Sequence, residues 1–189
     1  KLGAKIVELD FTPLYGVADM LYEGAWVAER YSVVEHLMKE NPAALHPTTK
    51  QIIGAAEYLS AADAFRGIYR LKDLERAAQN LMDGIDMLCV PTIPTFYSVA
   101  DLEADPVTPN SNLGTYTNFV NLLDMCGIVV PAELRSDGRP GSITLLASSG
   151  QDAKIASIAA AFAGEEVETQ TPTPYDDEIE LAVCGAHMS

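Results

Sequence analysis

At 189 residues the chain is long enough to bury a core without a disulfide or metal staple. Its 48% hydrophobic and 21% charged residues match ordinary globular usage and exclude a disordered or fibrous chain. Against 27 acidic residues stand 12 basic ones, a formal net charge of −15 that argues against nucleic acid or an anionic membrane surface as partner.

Residues 5–9 alternate as a strand does. Thr12-Pro13 then supplies an N-cap and a first-turn proline for a helix expected to run to about residue 38. Leu14, Val17, Ala18, Leu21, Ala25 and Ala28 form its core-facing stripe. Asn41-Pro42 stops it, and His46-Pro47-Thr48 opens a second helix expected to reach residue 82, with Gly67 as its bend. Residues 85–90 read as a buried strand closed by Pro91-Thr92-Ile93-Pro94. Composition makes 98–114 a surface loop, and spacing makes 115–125 helical. Residues 127–131 and 142–147 read as a hairpin turning at 136–139, followed by an alanine-rich helix over 151–163. Strands alternating with long helices give an α/β chain dominated by helix. The expected organisation is one domain over 1–164, a Thr/Pro-rich linker over 165–177 and the start of a following domain over 178–189. Strand-like segments at both ends, 5–9 and 179–183, predict a fragment of a longer polypeptide.

Chemistry is sparse along this course. Cys89, Cys126 and Cys184 are an odd count at wide spacing and read as buried free thiols in a reducing, cytoplasmic compartment. His36, His46 and His187 are scattered, and Cys184 with His187 makes half a zinc site at most, since zinc needs three converging protein ligands. Ser148-Ser149-Gly150 looks like a nucleophile loop, but only one glycine follows and Gln151-Asp152 leads straight into a helix, so it reads as a cap or loop.

The most informative segment is Leu21-Tyr-Glu-Gly-Ala-Trp-Val-Ala-Glu-Arg-Tyr31. On one helix Tyr22 and Arg30 would lie roughly 12 Å apart along the axis and about 80° around it, close enough for long side chains to converge on one small ligand. A guanidinium fork and a phenol suit a carboxylate, with two parallel charged hydrogen bonds and one neutral donor. The plainer alternative is that Arg30 pairs with a glutamate or stacks on Trp26.

The order of this segment, Val90-Pro-Thr-Ile-Pro94, Asn118-Phe-Val-Asn-Leu-Leu-Asp124, Val130-Pro131 and Asp137-Gly138-Arg139-Pro140 resembles the C-terminal half of amidase-signature enzymes. Residues 21–31 and 109–118 resemble the allophanate hydrolase branch in particular, and 181–189 resembles the opening of that branch's separate C-terminal domain. The resemblance implies an α/β fold with a mixed β-sheet layer surrounded by helices, incomplete in this chain. It implies amide hydrolysis through an acyl-enzyme on a Ser–cis-Ser–Lys triad, with backbone N–H groups holding the oxyanion. That triad belongs to the N-terminal half of the family's domain, so no catalytic residue is assigned in this chain. Tyr22 and Arg30 match the pair that grips the substrate carboxylate, making allophanate the expected substrate and ammonia the product. No metal or organic cofactor is implied; the expected partners are the N-terminal half of the same domain and a second copy in a homodimer. One departure stands out: Arg139-Pro140-Gly141-Ser142 lacks the apolar residue that the family places after the proline. Another amidase or an amidotransferase subunit of the same family, and a non-catalytic acidic binding domain, remain alternatives.

Overall fold

The computed structural model describes residues 3–22 and 24–165. Most of the expected linker, the segment after it, Cys184 and His187 lie outside the described residues.

Residues 3–11 form no strand; a strand exists only by pairing, and this segment pairs with none of the described ones. Leu9 and Phe11 reach the core, while Ile6 stays 89% exposed. Helix α1 (Thr12–Asp19) follows. Its start is capped by Asp10 rather than Thr12: the Asp10 carboxylate accepts from the Thr12 N–H at 2.9 Å and from its hydroxyl at 2.6 Å.

The long helix expected from residue 12 is broken. Helix α2 (Ala25–Glu40) begins only after a break in which Gly24 sits at φ +69°, a conformation costly to any residue with a Cβ. Asn41 ends α2 as expected. Helix α3 (Pro47–Gly54) starts on His46, whose Nδ1 accepts from the Thr48 N–H at 3.3 Å. It tightens into a 3₁₀ turn over Ala55–Tyr58 and stops. Helix α4 (Ala61–Met82) then starts afresh on a capping box, the Ser60 hydroxyl accepting from the Asp63 N–H and the Asp63 carboxylate accepting from the Ser60 N–H at 2.8 Å. The break therefore falls at 55–60 and not at Gly67. Gly67 lies inside α4, where a Cβ would stand 2.8 Å from the Ala25 Cβ and 3.3 Å from the Trp26 ring. Its smallness lets α2 close on α4.

Strand β1 (Leu88–Pro91) pairs with β3 (Gly141–Ala147), which also pairs with β2 (Cys126–Ala132), giving an antiparallel sheet in the order β1-β3-β2. β2 and β3 form the expected hairpin, with Gly138 at φ +78° in its turn. Central β3 is covered on both faces, which is why its residues 144–147 are buried in succession and do not alternate. Leu146, with Leu88 and Val90, packs on Leu14, Val17, Leu71 and the fully buried Phe119. Leu145, with Val130, packs on Ala159 of helix α7 (Asp152–Ala163). The one buried polar side chain of the sheet, Thr144, hydrogen-bonds the Thr92 hydroxyl at 3.1 Å.

Two other expectations change. The 98–114 loop contains helices α5 (Val99–Ala104) and α6 (Thr108–Leu113), the first started by a Ser98–Asp101 capping box and the second by the Asp105 carboxylate. Residues 115–125 form successive turns instead of a helix, with Asp124 left-handed at φ +50°. Their short polar side chains compete for the backbone, as when the Thr115 hydroxyl donates to the Asn112 carbonyl at 2.6 Å. The thiols also differ from expectation: β1 alternates, turning Leu88 and Val90 inward and leaving Cys89 exposed, and Cys126 is only half-buried.

Two outcomes follow from these helix starts and contacts. Gly67→Leu should wedge α2 from α4 at a cost of about 1–3 kcal/mol, read as a lowered midpoint of thermal unfolding, whereas Gly84→Leu, at an open turn, should not act by that route. The Asp63 carboxyl is held well below its ordinary value of 3.8 first by the Ser60 hydroxyl, then by the Ser60 N–H and Arg66. A depressed folded value gives stability that is complete above the unfolded value and lost as pH falls below it. Hydrogen exchange at the start of α4 should therefore accelerate as pH drops below about 3.8, after allowance for the intrinsic pH dependence of exchange, and Asp63→Asn should remove that step.

Candidate functional site

Tyr22 and Arg30 do not share a helix. Tyr22 sits in the turn that follows α1, its N–H bonded to the Asp19 carbonyl, while Arg30 lies in the second turn of α2. The break at Gly24 nonetheless folds the two back together: the Arg30 guanidinium carbon stands 5.9 Å from the centre of the Tyr22 ring. That spacing is a cation–π stack. Trp26 is directed elsewhere, against the main core and Gly67, so the Trp26 stack weighed from sequence does not form. Among the described residues no carboxylate lies within ion-pair distance of Arg30, although neighbouring helices carry such pairs, among them Lys39–Glu35 at 2.6 Å and Arg66–Asp63 at 2.6 Å.

Tyr22 is 40% exposed and forms one wall of an open cleft of about 260 Å³. The opposite walls come from the start of α3, with His46, Thr48 and Thr49, and from α6, with Val107 and Asn110. The cleft is lined mostly by apolar surface, with Ile52, Pro106 and Val107 beside Tyr22, His46, Thr48 and Thr49. Elsewhere on α2 the Tyr31 hydroxyl donates to Glu57 at 3.1 Å, and desolvation followed by Glu57 pushes the phenol's pKa up. None of the α3 or α6 residues was singled out as a site from sequence. His46 is 24 positions from Tyr22 and carried a sufficient explanation as a helix start, so no local pattern connected them.

Ser148 and Ser149 behave as a loop. The Ser149 hydroxyl donates to Asp124 at 3.0 Å, the Ser148 carbonyl accepts from the Gln151 N–H, and Lys154 is occupied by Asp86 at 2.7 Å. The departure at Arg139 has a physical role: the guanidiniums of Arg139 and Arg135 stack on Phe96 at 4.9 and 5.2 Å, with Asp137 3.4 and 3.5 Å from them. This pins the hairpin tip to the segment after β1. Among the described residues no three His, Cys, Asp or Glu side chains gather as a metal site requires, and no helix is long and apolar enough to cross a membrane.

The family model described as Amidase matches residues 1–155. Urea amidolyase of Lachancea kluyveri is 39% identical over 209 aligned positions, covering 98% of this chain and 11% of the relative. Urea amidolyase of Saccharomyces cerevisiae is 39% identical over 211 positions, covering 100% and 12%. Among solved structures, allophanate hydrolase of Kluyveromyces lactis superposes with a TM-score of 0.82 at 40% identity, covering 90% of this chain and 28% of that one. The chain therefore spans about a tenth of the length of these curated relatives and just over a quarter of that solved structure.

Proposed function

The chain belongs to the amidase family, and on that premise we propose that it is the substrate-gripping half of an allophanate-hydrolysing amidase domain. The observation that carries this reading is Arg30, held on the ring of Tyr22, itself a wall of an open cleft, with no carboxylate at ion-pair distance among the described residues. A guanidinium supported on an aromatic face keeps its planar N–H fork for a ligand, and a carboxylate matches that fork bidentately. The similarity to urea amidolyases and to an allophanate hydrolase supports allophanate, a small amide bearing a carboxylate, as that ligand.

In this reading the chain binds and orients. Arg30 and Tyr22 hold the carboxylate end so that the terminal amide faces a serine nucleophile supplied by the other half of the domain. That serine displaces ammonia to form an acyl-enzyme, and water then releases the acid. Fixing one end of so small a substrate supplies orientation, which accounts for a large share of rate in such reactions. The working unit on this reading is a cytoplasmic homodimer joined to its N-terminal half.

Two outcomes test it. The chain purified alone should release no ammonia from allophanate; release that disappears on Ser149→Ala would place a nucleophile in the wrong half. In the intact enzyme Arg30→Ala removes a charged, bidentate contact worth about 1.5–3 kcal/mol, a loss in kcat/KM on the order of 10- to 100-fold. Arg30→Lys should rescue poorly, because an ammonium lacks the fork, and Tyr22→Phe should cost about 1 kcal/mol. On an amide without a carboxylate Arg30→Ala should change little. An equal loss on both substrates in a folded mutant would make Arg30 a structural residue and remove the assignment.

A further inference from the structure

The chain changes direction between α1 and α2 at a backbone conformation that only glycine adopts freely. Hydrogen bonds of the α1 type continue as far as Tyr22: Met20 N–H to the Val17 carbonyl at 3.0 Å, Leu21 to Ala18 at 3.1 Å and Tyr22 to Asp19 at 3.3 Å. The Val27 N–H then opens α2 by donating to the Gly24 carbonyl at 3.1 Å. Gly24 itself stands at φ +69° and ψ −136°. A Cβ there would meet no atom within 4 Å, so the space would admit a side chain and only the backbone angles would resist it.

Where that strain would go is set by what holds the two flanks. α2 is fixed at its first residues, Ala25 lying against Gly67 of α4 and Trp26 packing on the main core. α1 is fixed by Leu14, Val17, Ala18 and Met20, all buried. Tyr22 is the loose member between these anchors, 40% exposed and tied to Asp19 by the longest of the three bonds. A shift at position 24 is therefore relieved at Tyr22, and Tyr22 carries Arg30, whose guanidinium carbon lies 5.9 Å from the ring centre. From this arrangement we infer that Gly24 is a positioning residue for carboxylate recognition: its positive φ sets the Tyr22 ring beneath the Arg30 guanidinium and so fixes the direction of the N–H fork. The inference rests on the Tyr22–Arg30 reading and names the backbone device that the reading requires. Gly24 touches no substrate and acts through the ring alone. An arginine that loses this support keeps its charge but not its orientation, and bidentate binding of a carboxylate depends on orientation.

The test separates this role from a general loss of stability. In the intact enzyme Gly24→Ala should lower kcat/KM for allophanate about 5- to 20-fold, a smaller loss than that of Arg30→Ala because the guanidinium is still present. For the neutral analogue in which an amide replaces the carboxylate, kcat/KM should stay within about twofold. Gly24→Asn should fall between glycine and alanine, since asparagine visits positive φ more readily, and it carries the comparison if Gly24→Ala does not fold. Gly84→Ala is the control: Gly84 stands at φ +72° with nothing within 4 Å of a Cβ, just beyond the end of α4, so its replacement should lower the unfolding midpoint and leave both amides unchanged. Because Gly24 acts through the stack, Gly24→Ala combined with Arg30→Ala should match Arg30→Ala alone. If Gly24→Ala spares allophanate, lowers both amides alike, or adds its loss to that of Arg30→Ala, the positioning role is overturned while discrimination by Arg30→Ala keeps the grip. If Arg30→Ala itself fails to discriminate, the substrate reading falls, and this inference with it.

Discussion

The contact on which the site depends is the approach of α2 to α4 at Gly67. A single Cβ there would collide with Ala25, the first residue of α2, so the start of α2 is placed by the absence of a side chain on its neighbour. Trp26 follows Ala25 onto the core, filling the side that faces α4. With those two residues fixed inward, Tyr22 and Arg30 in the second turn of α2 are left on the outer side. Tyr22 and Arg30 meet there. Packing against α4 thus decides both which aromatic the arginine can reach and where its guanidinium stands.

The same economy operates at the sheet. β3 has a hydrophobic layer on each face, Leu146 toward α1 and α4 and Leu145 toward α7. Burying a leucine fully is worth about 1.5–3 kcal/mol, so a strand with both faces covered is expensive to displace. Its hairpin partner carries the tip at Arg135–Arg139, which two guanidinium stacks fasten to Phe96. From Phe96 the chain passes to Tyr97, whose hydroxyl accepts from the Asn112 side chain at 2.9 Å, and so to α6. The outer wall of the cleft is tied back to the sheet through these links. Arg139, which departs from the resemblance, supplies one of them.

What could be read from the residues divides along a physical line. β2, β3, β1 and α7 were legible because each buries a continuous or periodic apolar face, and burial leaves its period in the sequence. Breaks were less legible. Asp10, Ser60 and Ser98 each start a helix through a short-range hydrogen bond, and two of these obey the Ser-x-x-Asp pattern that could have placed α4 and α5. Gly67 drew attention as a bend, but a glycine in a helix fits close packing equally well, and only the neighbour at Ala25 distinguishes the two. The strand expected at 5–9 shows the limit of alternation: the pattern states which face is apolar, whereas a strand requires a partner that lies elsewhere in space. Tyr22 and Arg30 were legible as a pair by resemblance and not by helix geometry, since the single helix that was to bring them together does not exist.

Electrostatics favours the role proposed for Arg30. With 27 acidic and 12 basic residues, a basic side chain on this surface easily finds a carboxylate, and among the described residues Lys39, Arg66, Lys72, Arg76, Arg135, Arg139 and Lys154 do so. Most of those pairs are exposed, and each contributes little. An arginine on a phenol ring is in a different state. The ring attracts the cation through its face without accepting the hydrogen bonds of the guanidinium edge. That edge is the part a carboxylate ligand would take. A paired arginine must first release its own carboxylate before it can bind another, and that exchange cancels most of the gain. In the proposed role, an Arg30 supported on Tyr22 and without a carboxylate partner among the described residues avoids the exchange, so that a chain with a repulsive overall charge could still offer an anionic ligand one well-placed cation.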